Sequence, residues 1–226
     1  MDVAKFVNVS KKFGSKTVLD NISFNIERGE ILGILGPNGS GKTTAMKILS
    51  AMAKPTSGEV KRAEKYRAII EQPCFYNALS GRDNLLYFAA ATNSDLSQVD
   101  EIVDLLNMRP YIKKRAGKYS LGMKQKLGIG CALLGRPELL ILDEPVNGLD
   151  PMAIIEVREL FLRLKNEFGV SIFISSHILH EMQEVCDRIL ILKDGQIAGC
   201  CDLKENREQT DIERLYRDIF GGYANV

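Results

Sequence analysis

The eight residues Gly36–Thr43, GPNGSGKT, restrict the fold more than any other part of the chain. They follow a short apolar run, Ile31–Leu35, and precede a stretch of helical character, Thr43–Ala53. The pattern G-x-x-x-x-G-K-[ST] between a strand and a helix describes a phosphate-binding loop. Its glycines let backbone N–H groups turn inward as an anion nest, and the helix N-terminus adds positive potential. Lys42 can reach the β- and γ-phosphates of a nucleotide, and Thr43 can offer its hydroxyl to Mg²⁺. The letters alone would fit a chance glycine loop; the strand before and the helix after argue against that.

A second stretch, LLILDEP over Leu139–Pro145, supplies acids. Four apolar residues predict a buried strand, and Asp143 and Glu144 emerge at its carboxyl end, the edge where α/β sheets bind ligands. Asp143 is suited to hold Mg²⁺, directly or through water, and Glu144 to polarise an attacking water. Two adjacent carboxylates there would repel each other without a cation, which disfavours an ordinary acidic turn.

Strands are expected at Val3–Val9 and Val18–Ile26, around a Gly-Ser turn, and a short strand pair at Glu59–Val60 and Ala68–Ile70. Gly81–Asn107 carries two helical patterns, around Leu85, Leu86 and Phe88 and around Val99, Ile102, Val103 and Leu106, which predict an inserted helical subdomain. Leu121–Leu134 reads as a further helix. Strand 139–143, helix 152–167, strand 170–174, helix 178–186 and strand 188–193 then alternate, the mark of a mainly parallel α/β sheet. Asp211–Phe220 closes as a helix with Ile212, Leu215 and Ile219 on one face.

The balance of 30 basic against 29 acidic residues argues against nucleic-acid binding through a basic face. No apolar run approaches the about 18–20 residues that a membrane span requires, and MDVAKFVNVS lacks a signal-peptide core. The expectation is a cytosolic chain that can dock on a membrane protein. Five cysteines without a CxxC pair indicate neither a disulfide framework nor a zinc site; Cys200–Cys201 reads as the end of a strand. His177, His180 and Cys186 have no zinc-motif spacing either.

With the phosphate loop and the acidic strand end together, the chain resembles the ATP-binding subunit of ATP-binding-cassette (ABC) transporters over nearly its whole length. Further motifs stand in family order. Gln72, in IIEQP, matches the Q-loop glutamine, which in the family senses Mg²⁺ and the attacking water. Asn147–Asp150, NGLD, matches the D-loop, with Asp150 at the dimer contact. His177, in ISSHILHE, matches the switch histidine at the γ-phosphate. Phe13, in VSKKFG, stands where the family stacks an aromatic on adenine. Alone, Phe13 would fit a core and Gln72 a surface; the ordered series carries the functional reading. YSLGM, Tyr119–Met123, stands where the family has LSGGQ and keeps Ser120 and Gly122. In the family this motif covers the γ-phosphate of ATP held by the opposite subunit; a serine N-cap would use the same geometry.

The resemblance implies an α/β fold: a P-loop NTPase core with a mainly parallel sheet, a small antiparallel β lobe and an inserted helical subdomain. It implies one domain over 1–226, with core segments 1–72 and 135–226 and a helical subdomain at 73–134 that includes the signature motif. The implied cofactors are ATP and Mg²⁺. ATP would be held by Phe13, Gly36, Pro37, Asn38, Gly39, Ser40, Gly41, Lys42, Thr43 and Thr44, and in trans by Ser120 and Gly122. Mg²⁺ would be held by Thr43, Gln72 and Asp143, and catalysis would use Glu144, His177, Gln72 and Lys42. The implied partners are a second ATPase subunit, identical or paralogous, in a head-to-tail sandwich, and a transmembrane permease that keeps the chain on the cytoplasmic face; nucleic acid is not among them. The YSLGMKQ and EQPCFYNALSGRDNL stretches look like the exporter branch of bacitracin resistance and lantibiotic self-protection, while related drug and polysaccharide exporters use similar variants.

Two rival classes fit less well. Soluble ABC-type ATPases of chromosomes need a long coiled coil, whereas 46 residues separate Gln72 from Tyr119, and those of translation usually pair two cassettes in one chain. A cassette that binds ATP without hydrolysing it would not need Lys42, Asp143, Glu144 and His177 together.

Overall fold

The computed structural model describes residues 1–204 and 212–221. Two sheets form among the described residues. The smaller is antiparallel: β1 (Asp2–Phe13) and β2 (Lys16–Glu27) form a hairpin, and β4 (Ser57–Arg62) lies on the other edge of β1. Its intervening strand, β3 (Ile31–Leu35), belongs to the larger sheet instead.

The larger sheet runs β5 (Tyr66–Ile69), β6 (Leu139–Leu142), β7 (Ser171–Ser176), β3, β8 (Arg188–Lys193), β9 (Gln196–Asp202). Five of these strands are parallel, and β9 closes the edge antiparallel to β8. The expected strand pair at 59–60 and 68–70 is corrected here. Both strands exist, but β4 pairs with β1 and β5 with β6, so they lie in different sheets. Propensity marks an extended segment without naming its partner.

Helices cover one face of the parallel strands and β1, β2 and a single helix the other, which explains why β3, β6 and β7 are buried along their whole length. Alternate residues serve opposite cores. Ile31, Leu35, Leu140, Leu142, Ile172 and Ile174 face one core, with α2 (Gly81–Ala91), α3 (Ser97–Leu105), α4 (Leu121–Leu133), α5 (Pro151–Phe168) and α6 (Leu179–Val185). Leu32, Ile34, Leu139, Ile141 and Phe173 face the other, with β1, β2 and α1 (Lys42–Leu49). Gly33 permits the close approach of α6 to β3: a Cβ there would lie 2.3 Å from Met182 Cε and 2.8 Å from Cys186 Sγ.

Local chemistry sets the helix ends. Ser80 caps α2 by accepting the Asp83 N–H. Asp150 caps α5 by accepting the Ala153 N–H, Pro151 opens that helix, and left-handed Gly169 ends it. Helix α1 stops at Leu49 rather than at Ala53 because Ala51 turns left-handed, with φ 60°. The final helix, α7 (Ile212–Phe220), packs Leu215 and Ile219 over Gly199 of β9; Asp211, its expected first residue, lies outside the described residues. Among the described residues no helix is long and apolar enough to cross a membrane.

Candidate functional site

The chain leaves β3 at Leu35 and must reverse into α1 within six residues. Gly36 passes so close to β8 that a Cβ would lie 2.4 Å from the Leu192 carbonyl oxygen. Gly41 enters the helix at φ 112°, against Val18 and Leu19 of β2. Both positions therefore require glycine. The loop they shape surrounds the Lys42 ammonium, whose side chain is 6% exposed. Its Nζ donates to the carbonyl oxygens of Gly36, at 2.6 Å, and Pro37, at 3.2 Å. The Ser40 hydroxyl is buried in the loop with no hydrogen-bond partner among the described residues, which fits a bound anion as its acceptor.

The acids arrive from β6. Asp143 is buried, and its Oδ2 accepts from the Thr43 hydroxyl at 2.9 Å. A carboxylate and a hydroxyl so close at the mouth of the loop form an oxygen donor set suited to a hard divalent cation. Glu144 follows at φ 48°, a left-handed conformation uncommon outside glycine. This turn brings its carboxylate between two partners: Oε1 lies 3.6 Å from Lys42 Nζ, and Oε2 lies 2.8 Å from His177 Nδ1. With the carboxylate as acceptor, the Nδ1–H of His177 donates, so Glu144 selects the tautomer.

These groups open onto one cavity of about 340 Å³, lined by Lys16, Val18, Asn38, Gly39, Gly41, Lys42, Thr43, Thr44, Glu144, Asn147 and His177. Gly36 and Pro37 serve it through their carbonyls, and Asp143 through Thr43. Lys16 and Val18 escaped sequence reading. The β-hairpin register sets Lys16 opposite Phe13, and Val18 follows two residues along the same strand.

The remaining sequence-predicted residues lie outside that lining. Phe13 is 56% exposed at the end of β1, with the Lys11 ammonium 4.9 Å from its ring centre. Gln72 is exposed after a γ-turn, in which its N–H donates to the Ile70 carbonyl across Glu71 at φ 67°. Lys47 of α1 holds the Glu71 carboxylate at 2.6 Å. Ser120 caps α4 by accepting the Met123 N–H at 3.3 Å. Gly122 lies beside α5, where a Cβ would be 3.1 Å from Ala153 Cβ, while Leu121 lies against Gly148. Asp150 and Ser120 thus cap two neighbouring helices.

The comparisons with known proteins agree with this geometry. The ABC transporter family model matches residues 19–147. The bacitracin transport ATP-binding protein of Bacillus licheniformis is 41% identical over 208 residues, covering 86% of this chain and 68% of that protein. The lantibiotic transport ATP-binding protein of Streptococcus pyogenes is 39% identical over 223 residues, covering 95% of this chain and 96% of its own. The solved ATP-binding subunit of an ABC transporter aligns with a TM-score of 0.84 at 26% identity, over 96% of this chain and 99% of that one. A dimeric post-hydrolysis cassette bound to ADP and Pi aligns with a TM-score of 0.77 at 25% identity, over 88% and 98%. The loop, the acidic strand end and the histidine together with these matches establish that the chain belongs to the ABC transporter family, as an ATP-binding subunit of the kind that hydrolyses ATP to power transport.

Proposed function

We propose that this subunit drives an exporter of antimicrobial peptides of the bacitracin or lantibiotic type, bound at the cytoplasmic face of the membrane through a permease. The similarity to transport ATP-binding proteins named for those peptides supports the cargo class. The observation that carries the catalytic reading is the placement of Glu144 between Lys42 and His177 at the mouth of the phosphate loop.

ATP is held by the Gly36–Thr43 loop and Thr44, with Phe13 on the adenine side. Lys42 exchanges its carbonyl partners for phosphate oxygens. Thr43 and Asp143, joined by Gln72, would hold Mg²⁺, which supplies charge neutralisation on the phosphates when bound. Glu144 then accepts a hydrogen bond from water and orients it for in-line attack, and His177 fixes Glu144 from the far side. Ser120, exposed at the start of α4, and the half-buried Gly122 would cover the nucleotide of a second cassette arranged head to tail, with Asp150 at the contact. The similarity to a cassette solved as a dimer with ADP and Pi supports the pairing of two cassettes. Residues 73–134 form the body that passes closure to the permease through Gln72, while 1–72 and the described residues from 135 onward form the core.

Glu144→Gln tests this reading. It should bind ATP, accumulate as a dimer by size-exclusion chromatography, and lose roughly 100-fold or more in turnover. Steady-state ATPase equal to the parent would remove Glu144 from its assigned role.

A further inference from the structure

Ser175 is fully buried on β7, two residues before His177. Its hydroxyl donates to Asp143 Oδ1 at 2.6 Å and accepts the Glu144 backbone N–H at 2.8 Å. One oxygen thus holds both neighbouring acids at the edge of β6. The second Asp143 oxygen is held by Thr43, and the Glu144 carboxylate by His177 and Lys42. Each acid is therefore fixed from two sides, and Ser175 contributes to both. Glu144 also needs such a hold, because its left-handed backbone is unfavourable for a side chain with a Cβ. An apolar side chain would suit the packing of a strand buried from Ser171 to Ser176. The hydroxyl is explained by its two partners.

We propose that Ser175 is a positioning residue for ATP hydrolysis: its hydroxyl sets both the direction of the Asp143 carboxylate and the backbone turn that presents Glu144. This rests on the roles proposed above for those two acids. Ser175 acts through them and touches no reacting atom. Its loss should slow turnover while leaving nucleotide capture by the phosphate loop intact, since Lys42 and the loop N–H groups do not depend on it.

The test compares the full chain with Ser175→Ala and Ser175→Thr. It measures steady-state ATPase, calorimetric binding of ATP in EDTA, the Mg²⁺ concentration for half-maximal rate, and thermal unfolding. In Ser175→Ala, kcat should fall roughly 10- to 100-fold, with KM and the EDTA Kd for ATP within about threefold of the parent. Half-maximal rate should need more Mg²⁺, and Ser175→Thr, which restores the hydroxyl, should recover most of kcat. If Ser175→Ala does not fold, Ser175→Cys, close in size but a weak hydrogen-bonding group, takes its place with the same expected loss. A kcat within about twofold of the parent overturns the proposal. So does loss of ATP binding in EDTA in every variant, which would make the residue merely structural. Glu144→Gln is run in parallel. If it keeps its rate, the reading of the acids falls and this proposal with it. If it is inactive beside an unaffected Ser175→Ala, only the part assigned to Ser175 falls.

Discussion

The Lys42 Nζ lies in a nearly closed setting, and three oxygen partners share it: two loop carbonyls and, more distantly, Glu144. Lys42→Ala would remove the cation and leave Glu144 facing the phosphates uncompensated. Hydrogen bonds to charged groups contribute about 1.5–3 kcal/mol, so ATP affinity should fall roughly 10- to 100-fold by calorimetry. The cysteines differ as sharply. Burial pushes the Cys131 thiol up to about 12, whereas Cys74 is exposed beside the Gln72 turn. At pH 8 the Cys131 thiol stays protonated, below its raised pKa, and the thiolate is the reactive form. Native-state alkylation with iodoacetamide, read by peptide mass spectrometry, should mark Cys74 and spare Cys131 until unfolding. Lys42, Thr43, Asp143 and Glu144 were legible as candidates because each stands at a fixed offset from a glycine loop or an apolar strand, and His177 through its resemblance to the family's switch histidine. Ser175 was not: one more serine in IFISS has no distinguishing offset, and its role emerges only when β6 and β7 pair. Lys16 and Val18 were hidden for the same reason, since hairpin folding brings them to the cavity.

At the scale of elements, α4 and α5 start side by side, capped by Ser120 and Asp150, with Gly122 against Ala153. Their N-termini share one face of the molecule. Ser120→Arg should leave ATP binding to the phosphate loop unchanged and abolish most ATPase by blocking closure of two subunits; a normal rate would reduce Ser120 to a helix cap. Farther along α4, Gly128 passes so close to the segment after Gln72 that a Cβ would lie 2.2 Å from Pro73 Cβ. Gly128→Ala must therefore push α4 and that segment apart. Overpacking of this kind costs about 1–3 kcal/mol, an expected fall in Tm of roughly 3–10 °C in a thermal scan. The helices were readable from apolar spacing, but their ends were not all readable: α1 was expected to reach Ala53, and the left-handed turn at Ala51 stops it at Leu49. The partners of β4 and β5 were not, because a six-residue strand and a four-residue one carry too little pattern to specify a sheet.

Across the whole molecule, the six-stranded sheet separates two apolar cores, and the phosphate loop joins β3 at its centre to α1 on one face. A ligand in that loop binds only when the sheet is assembled, so it should stabilise the chain globally. ATP at about 100 times its Kd adds about 2.7 kcal/mol, an expected rise in Tm of roughly 5–10 °C that Lys42→Ala should largely erase. The strand order also governs how the chain is made. Strand β3 and its glycine loop leave the ribosome well before the two neighbours of β3, which are β7, beginning at Ser171, and β8, beginning at Arg188. At about 5–20 residues per second the wait is on the order of ten seconds. Through that interval a wholly apolar strand has neither edge paired. The nascent chain therefore carries its nucleotide-binding letters long before it can bind nucleotide, with a sticky segment exposed until β7 and β8 have been made.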